Sequence, residues 1–342
     1  MDYIELDASI GEGGGQVLRT SLALSILTNT NLILENVRAK RSRPGLMRQH
    51  LTGVKAAAQL CDAQLTGAEI GSTSLRFEPG ETLVKDMTIK IGTAGSTTLV
   101  LQTILPVLMC ASTPCEIRIH GGTHNPMAPS YDFLREVFLP QLKKIGPEVE
   151  LECERHGFYP AGGGRLVARI QPVARDKFRR FELLECGRDL GRRGESIIAN
   201  LPENIAHREI EELVSLMGWQ EQDCKVRAVN SSGPGNVVLA TMMFGNVTEQ
   251  MTSFGEKGKP GERVVRDLVK EVRRYLASGA PVGEYLADQL LLPMALGAGG
   301  EFRCSTLSQH TKTQAEVIEK FLEVEIGFER VDEGGWKVVV DV

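Results

Sequence analysis

His310 lies in the polar run STLSQHTKT, residues 305–313, between a strand-like apolar run and a helical pattern. A single imidazole in such a place is either a solvated loop residue or a nucleophile or general base. The chain has six histidines, at 50, 120, 124, 156, 207 and 310; only His120 and His124, in HGGTH, fall at HxxxH spacing, and His310 has no such neighbour. No Ser-His-Asp order is recognisable either. What gives His310 chemical interest is a second cluster: Arg38, Lys40, Arg41, Arg43, Arg48 and His50 fall within thirteen residues. Arginine forks match phosphate oxygens bidentately. In a chain of net charge −5 a local basic cluster argues for an anion site, with a solvated basic surface as the alternative. A third stretch, GEGGGQ at 11–16, precedes a helix; its glycines let backbone N–H groups approach an anion, and Glu12 has the chemistry to hold a divalent cation that bridges phosphates. It is not a P-loop, since no GK[ST] follows, and no parallel βαβ unit is read around it, which argues against a dinucleotide fingerprint.

The elements that must position these groups recur. Three segments begin near residues 11, 92 and 283, each with a turn-like entry, a mostly apolar helix, a strand, a polar loop and a second helix. The first helices are apolar on nearly every side and so expected to be buried. Aligning LVLQTILPVL with LADQLLLPMAL places Gln102 over Gln289 and Pro106 over Pro293, with Arg19 of VLRTSLAL opposite both glutamines. Buried polar side chains need partners. Three at one repeat position point to a shared polar centre, or else each caps a neighbouring backbone group. His310 is read at the loop position of the third copy that the arginine cluster occupies in the first and THNPMAPS in the second. If the copies share a centre, the imidazole faces Arg38 and Arg41.

The fold class expected is α+β, with helices packed on sheets. The interval between the second and third copies exceeds that between the first and second by about one small domain, which places an insertion at 185–279. ENIAHREIEELVSLMG and GERVVRDLVKEVRRYLASG read as its helices, NVVLATMMFG and VTEQMTSFG as strands, and ECGRDLGRRGE as its entry linker.

Bulk properties narrow the classes. A pI of about 5.8 excludes a protein that coats long nucleic acids through a global positive field, so any nucleic-acid contact must be local, as at a chain end. Seven cysteines without CxxC or metal spacing suggest reduced thiols and a cytoplasmic location. MDYIELD lacks the basic region of a secretory leader, and the longest apolar stretch, TLVLQTILPVLMCAS, carries Gln102 and Pro106 and is short for a bilayer, so no membrane association is expected.

Taken together, GEGGGQVLR, RAKRSRPGLMRQHL, GSTTLVLQTILP, RHGFYPAGGG, GEYLADQLLLPMAL and His310 resemble the RNA 3′-terminal phosphate cyclase family, in order and over nearly the whole chain. The resemblance implies three repeated units, each of two helices and a four-stranded sheet, around a pseudo-threefold axis, with a small α/β domain inserted before the third: residues 1–184 plus 280–342, and 185–279. It implies an ATP-dependent ligase-type activity that converts an RNA 3′-phosphate end to a 2′,3′-cyclic phosphate, releasing AMP and pyrophosphate, with a divalent cation, magnesium or manganese. His310 matches the nucleotidylated histidine. Gln102, Pro129 and Tyr285, Leu286, Ala287, Asp288 and Gln289 match nucleotide contacts, with Tyr285 and Pro129 around the adenine. Glu12 matches the metal carboxylate, and Arg19, Arg38, Arg41, Gln49 and His50 match the phosphate site. No stable protein partner is implied. Non-catalytic cyclase-like ribosome-assembly proteins lack the nucleophilic histidine; enolpyruvyl transferases, of similar architecture, carry two sets of three repeats where this chain has room for one.

Overall fold

The computed structural model describes residues 3–331 and 335–342; the first two residues of the N-terminal stretch and residues 332–334 of the C-terminal segment lie outside it. Three of its sheets share one strand order. In the first, β1 (Tyr3–Asp7) runs parallel to β2 (Asn31–Glu35), which pairs antiparallel with β4 (Leu75–Glu78), and β3 (Gln64–Thr66) closes the edge on β4. The second repeats this with β5 (Met87–Lys90), β6 (Cys115–Gly121), β8 (Gly164–Gln171) and β7 (Glu148–Arg155).

The third sheet interleaves with a fourth along the chain. Its first strand, β9 (Phe181–Leu183), precedes β10 (Asp189–Ala199), β11 (Cys224–Ala228), β12 (Gly235–Phe244) and β13 (Thr248–Phe254), which form the separate fourth sheet. β9 then pairs in parallel with β14 (Gly300–Cys304), followed by β16 (Gly335–Asp341) and β15 (Glu325–Val331). The 189–278 segment therefore interrupts the third sheet after its first strand, a strand of three residues with no sequence period to reveal it.

Each of these three sheets carries helices in the same places. α1 (Gln16–Thr28) and α2 (Arg48–Cys61) belong to the first, and α3 (Thr97–Leu108) to the second. The second helix of that sheet is α4 (Tyr131–Phe133), a π-helical stretch Leu134–Phe138 and α5 (Leu139–Ile145) in one run. Pro140 lies at its irregularity, where it has no N–H for the preceding turn. The fourth sheet is covered by α6 (Asn204–Met217) and α7 (Gly261–Ser278), and the third by α8 (Glu284–Ala295) and α9 (Gln309–Glu319).

One hydrophobic core, from Leu6 to Val340, takes in α1, α3, α8 and the inner faces of the three like sheets. The 189–278 segment has its own: Leu213, Val238, Val265 and Leu268 on one face of the fourth sheet, Ile197, Val237 and Leu239 on the other. Among the described residues no helix is long and apolar enough to cross a membrane.

Three expectations need correction. GEGGGQ does open a parallel βαβ unit, β1-α1-β2, although its sixth position is Gln16 where a dinucleotide fingerprint has a small residue. ECGRDLGRRGE is not a linker: from Asp189 it forms β10, exposed through its arginines and buried from Gly194 onward. His310 is not in a loop but in the first turn of α9, because the Ser308 hydroxyl accepts from the Thr311 N–H at 3.1 Å and starts the helix two residues before the imidazole.

Candidate active site

The glycine loop before α1 is shaped by close contacts. Gly11 and Gly13 have φ of 58° and 56°, and a Cβ on Gly11 would lie 1.9 Å from the Thr313 hydroxyl of α9. This approach brings the α1 and α9 N-termini together. Gln16, the first residue of α1, then reaches two groups from other elements. Its Nε2 donates to Asp288 Oδ2 on α8 at 3.1 Å, and its Oε1 lies 2.8 Å from His310 Nδ1.

That pairing sets the protonation of the imidazole. Because the amide NH2 of Gln16 serves the Asp288 carboxylate, the amide oxygen faces Nδ1, which must carry the proton. In neutral His310 the lone pair is then on Nε2; Glu12 Oε2, which also accepts from Arg41 Nη2 at 3.2 Å, lies 3.1 Å from that nitrogen and favours a second proton on the ring, so the lone pair is free only once the carboxylate moves off. The His310 side chain is 40% exposed. Burial lowers its pKa and Glu12 opposes this, while Arg19 and Arg41 act with burial. Burial raises Asp288 to about 7 although Arg19 pulls it down. Burial lowers Arg19 to about 10, so it keeps its charge at neutral pH. His50 falls to about 3 through burial and then Arg38 and Arg19; it is neutral and a weak proton acceptor.

Two cavities meet here. The inner, about 70 Å³, is lined by Gln16, Arg19, Gln102, Asp288, Gln289 and Gln314 among others. Gln102 Nε2 donates to Gln289 Oε1 at 2.7 Å, so the two aligned glutamines do share one polar centre with Arg19. Each has a proline four residues on, Pro106 and Pro293, which cannot donate to its backbone carbonyl. The outer cavity, about 660 Å³, is in the range of nucleotide-sized ligands. Arg19, Arg38, Arg41, Gln49, His50 and His310 all line it, together with the 93–96 turn and the 125–128 and 159–160 segments.

The structure thus gathers nine of the residues singled out from sequence around the two cavities: His310, Arg19, Arg38, Arg41, Gln49, His50, Gln102, Asp288 and Gln289, with Glu12 on the imidazole. Arg38 shapes its loop, its Nη1 donating to the Arg43 and Gly45 carbonyls at 2.7 and 2.8 Å. Gln49 Oε1 holds the Ser96 N–H at 2.6 Å, tying α2 to the entry of α3. Arg43 and Arg48 are exposed and line neither cavity. Tyr285 is 52% exposed; Pro129 is half-buried and its carbonyl accepts from Thr98 at 2.7 Å. Leu286 and Ala287 are wholly buried core residues, so only their backbone is available to a ligand. Sequence reasoning missed the role of Gln16, whose signal was a polar residue opening an apolar helix beside a glycine loop. It also missed Gln314, which pairs with Thr20 at 2.7 Å.

Among the described residues no three His, Cys, Asp or Glu side chains gather as metal ligands. Glu12 fits a hard divalent ion of the magnesium kind, which takes one or two carboxylates and completes its shell with phosphate oxygens and water.

Residues 10–328 match the family model described as RNA 3′-terminal phosphate cyclase. The chain is 49% identical to a protein of that name from Pseudomonas fluorescens over 95% of this chain and 94% of that one. It is 47% identical to the Ectopseudomonas mendocina protein of that name, with the same coverage, and 44% identical to that of Koribacter versatilis, over 95% and 91%.

Proposed function

The chain belongs to the RNA 3′-terminal phosphate cyclase family, and from that premise we propose that it cyclises RNA 3′-phosphates at the expense of ATP through a covalent adenylate on His310. One observation carries this reading: Nδ1 is occupied by Gln16, which leaves the Nε2 lone pair of a burial-depressed imidazole beside Arg19 and Arg41.

Nε2 attacks the α-phosphorus of ATP, the bond to pyrophosphate breaks, and a phosphoramidate to AMP remains. The Nδ1 proton, held by Gln16, supports the positive charge that develops on the ring. An oxygen of the RNA 3′-phosphate next attacks the same phosphorus, the P–N bond breaks, and the imidazole leaves with its electron pair. In the resulting anhydride the neighbouring 2′-hydroxyl attacks the 3′-phosphorus, expels AMP and closes the ring. That step is intramolecular, so fixing the ribose supplies much of its advantage. Arg38 and Arg41 hold phosphate oxygens, and neutral His50 adds hydrogen bonding without further charge. A divalent cation bound at Glu12 would neutralise phosphate charge and draw the carboxylate away from Nε2. Tyr285 and Pro129 flank the adenine, and Asp288 and Gln289 contact the nucleotide.

The reading extends to architecture: residues 1–184 with 280–342 are three units around a pseudo-threefold axis, and 185–279 a small inserted domain. The shared strand order and the separate cores support it. The test is incubation with ATP labelled at the α-phosphate and an RNA ending in 3′-phosphate. Protein-bound AMP and a phosphatase-resistant RNA end are expected; neither forming refutes the proposal.

A further inference from the structure

One part of the outer cavity's lining is unlike the rest of it. Tyr159 and Met127, 68% and 85% exposed, belong to the few large apolar side chains that this molecule leaves in water, and both line this cavity. Neither position is loose. Phe158, next to Tyr159, is 3% exposed, packs into the core of the 189–278 segment and stacks on His124 with centroids 5.3 Å apart. The turn is closed by Gly162 N–H to the Phe158 carbonyl at 2.7 Å and tied to Thr123 through Gly157 at 2.8 and 3.0 Å. Gly162 abuts the 93–96 turn so closely that a Cβ there would lie 2.8 Å from Ala94 Cα. Met127 sits at φ 64°, a conformation that side chains seldom adopt, and is held out at the cavity rim. An aromatic and a thioether fixed in water on backbone that cannot collapse over them are preorganised for a flat apolar partner.

We infer that Tyr159 and Met127 form a stacking platform for the nucleobase of the RNA 3′-terminal nucleotide, whose phosphate lies against Arg38 and Arg41. This rests on the cyclase reading, and it adds that the enzyme grips the last base as well as the phosphate. The occupant follows from charge and shape. A cavity of about 660 Å³ lined by both arginines and an exposed aromatic suits a phosphorylated nucleoside. Stacking accepts the face of any base, so this part of the grip is tolerant of sequence.

The test is fluorescence anisotropy with short RNAs ending in 3′-phosphate, either intact or lacking the terminal base, followed by cyclisation of the same RNAs. Wild-type protein binds the intact end about ten- to hundredfold tighter than the abasic one. Tyr159→Ala binds both ends with the wild-type abasic affinity, and Tyr159→Phe restores the preference. Equal binding of both ends by the wild type, a preference that survives Tyr159→Ala, or a variant that loses both ends alike overturns the platform. If the preference holds but no RNA is cyclised, the reaction is wrong and the platform stands; if RNA is cyclised without preference, the reverse.

Discussion

Two histidine–carboxylate clusters stand out among the described residues, and only one of them lines a cavity. At the second, His124 is completely buried, with Nδ1 2.8 Å from the Thr123 hydroxyl and Nε2 2.6 Å from Asp132. Arg227 of β11 takes the other Asp132 oxygen at 3.0 Å and also bonds Glu195, so the cluster joins α4 to the fourth sheet. Burial pushes the Asp132 carboxyl up, but His124 and Arg227 together hold it well below the usual carboxylate range. Burial lowers His156, stacked 5.3 Å from His124, to about 4. Listed by residue type, Thr123, His124 and Asp132 imitate a nucleophile, base and acid more closely than anything around His310. Their polar atoms are bonded to one another and to neighbouring protein groups, however, and none of the three lines either of the two cavities. At His310 one nitrogen is fixed by an amide and the other faces an exposed carboxylate at the edge of a nucleotide-sized space. Access to a cavity separates the His310 cluster from the buried one.

The sharpest way to break this contrast is to truncate both imidazoles. His310→Ala is expected to abolish protein–AMP formation, a loss of at least about a thousandfold in a labelling assay, with unchanged stability. His124→Ala should still accept label, while denaturant titration shows a loss of about 3–5 kcal/mol from the broken buried pair. Labelled His310→Ala, or a dead but fully stable His124→Ala, inverts the assignment.

Next in size is Gln16→Ala, which frees the Nδ1 proton to move. Label should form about ten- to hundredfold more slowly, and nitrogen chemical shifts should show a mixture of His310 tautomers. A slow variant whose tautomer is unchanged would make Gln16 merely structural. Arg38→Ala and Arg41→Ala should each lower RNA cyclisation about tenfold or more, and Arg43→Ala less than about twofold, since only the first two line the cavity. Equal losses at all three would reduce the cluster to a general positive surface.

The smallest effect is on pH. On the proposed mechanism only neutral His310 attacks, and its pKa is lowered, so labelling should fall on acidification only below the ordinary histidine value of about 6.5. Arg41 contributes to the lowering, so Arg41→Ala moves this limb to higher pH; Glu12 opposes it, so Glu12→Gln moves the limb lower. Rate–pH profiles of labelling check both signs.

Residue type and local pattern were enough to mark the apolar helices, the arginine cluster, the glycine loop and the paired Gln-Pro positions, because these are short-range properties of the chain. The alignment of Gln102 with Gln289 even foresaw their contact. What pattern misjudged were features decided by distant partners: β9, three residues long and a strand only because β14 lies alongside, and β10, whose arginines and glycine disguised the spine of the fourth sheet. The His310 proton belongs with these. No periodicity says that Gln16, far away in sequence, turns its oxygen to Nδ1 because Asp288 has taken its nitrogen. Composition determined that an imidazole, arginines and a carboxylate were on hand. Tertiary packing decided which lone pair is free, because hydrogen-bond direction exists only between groups already brought together.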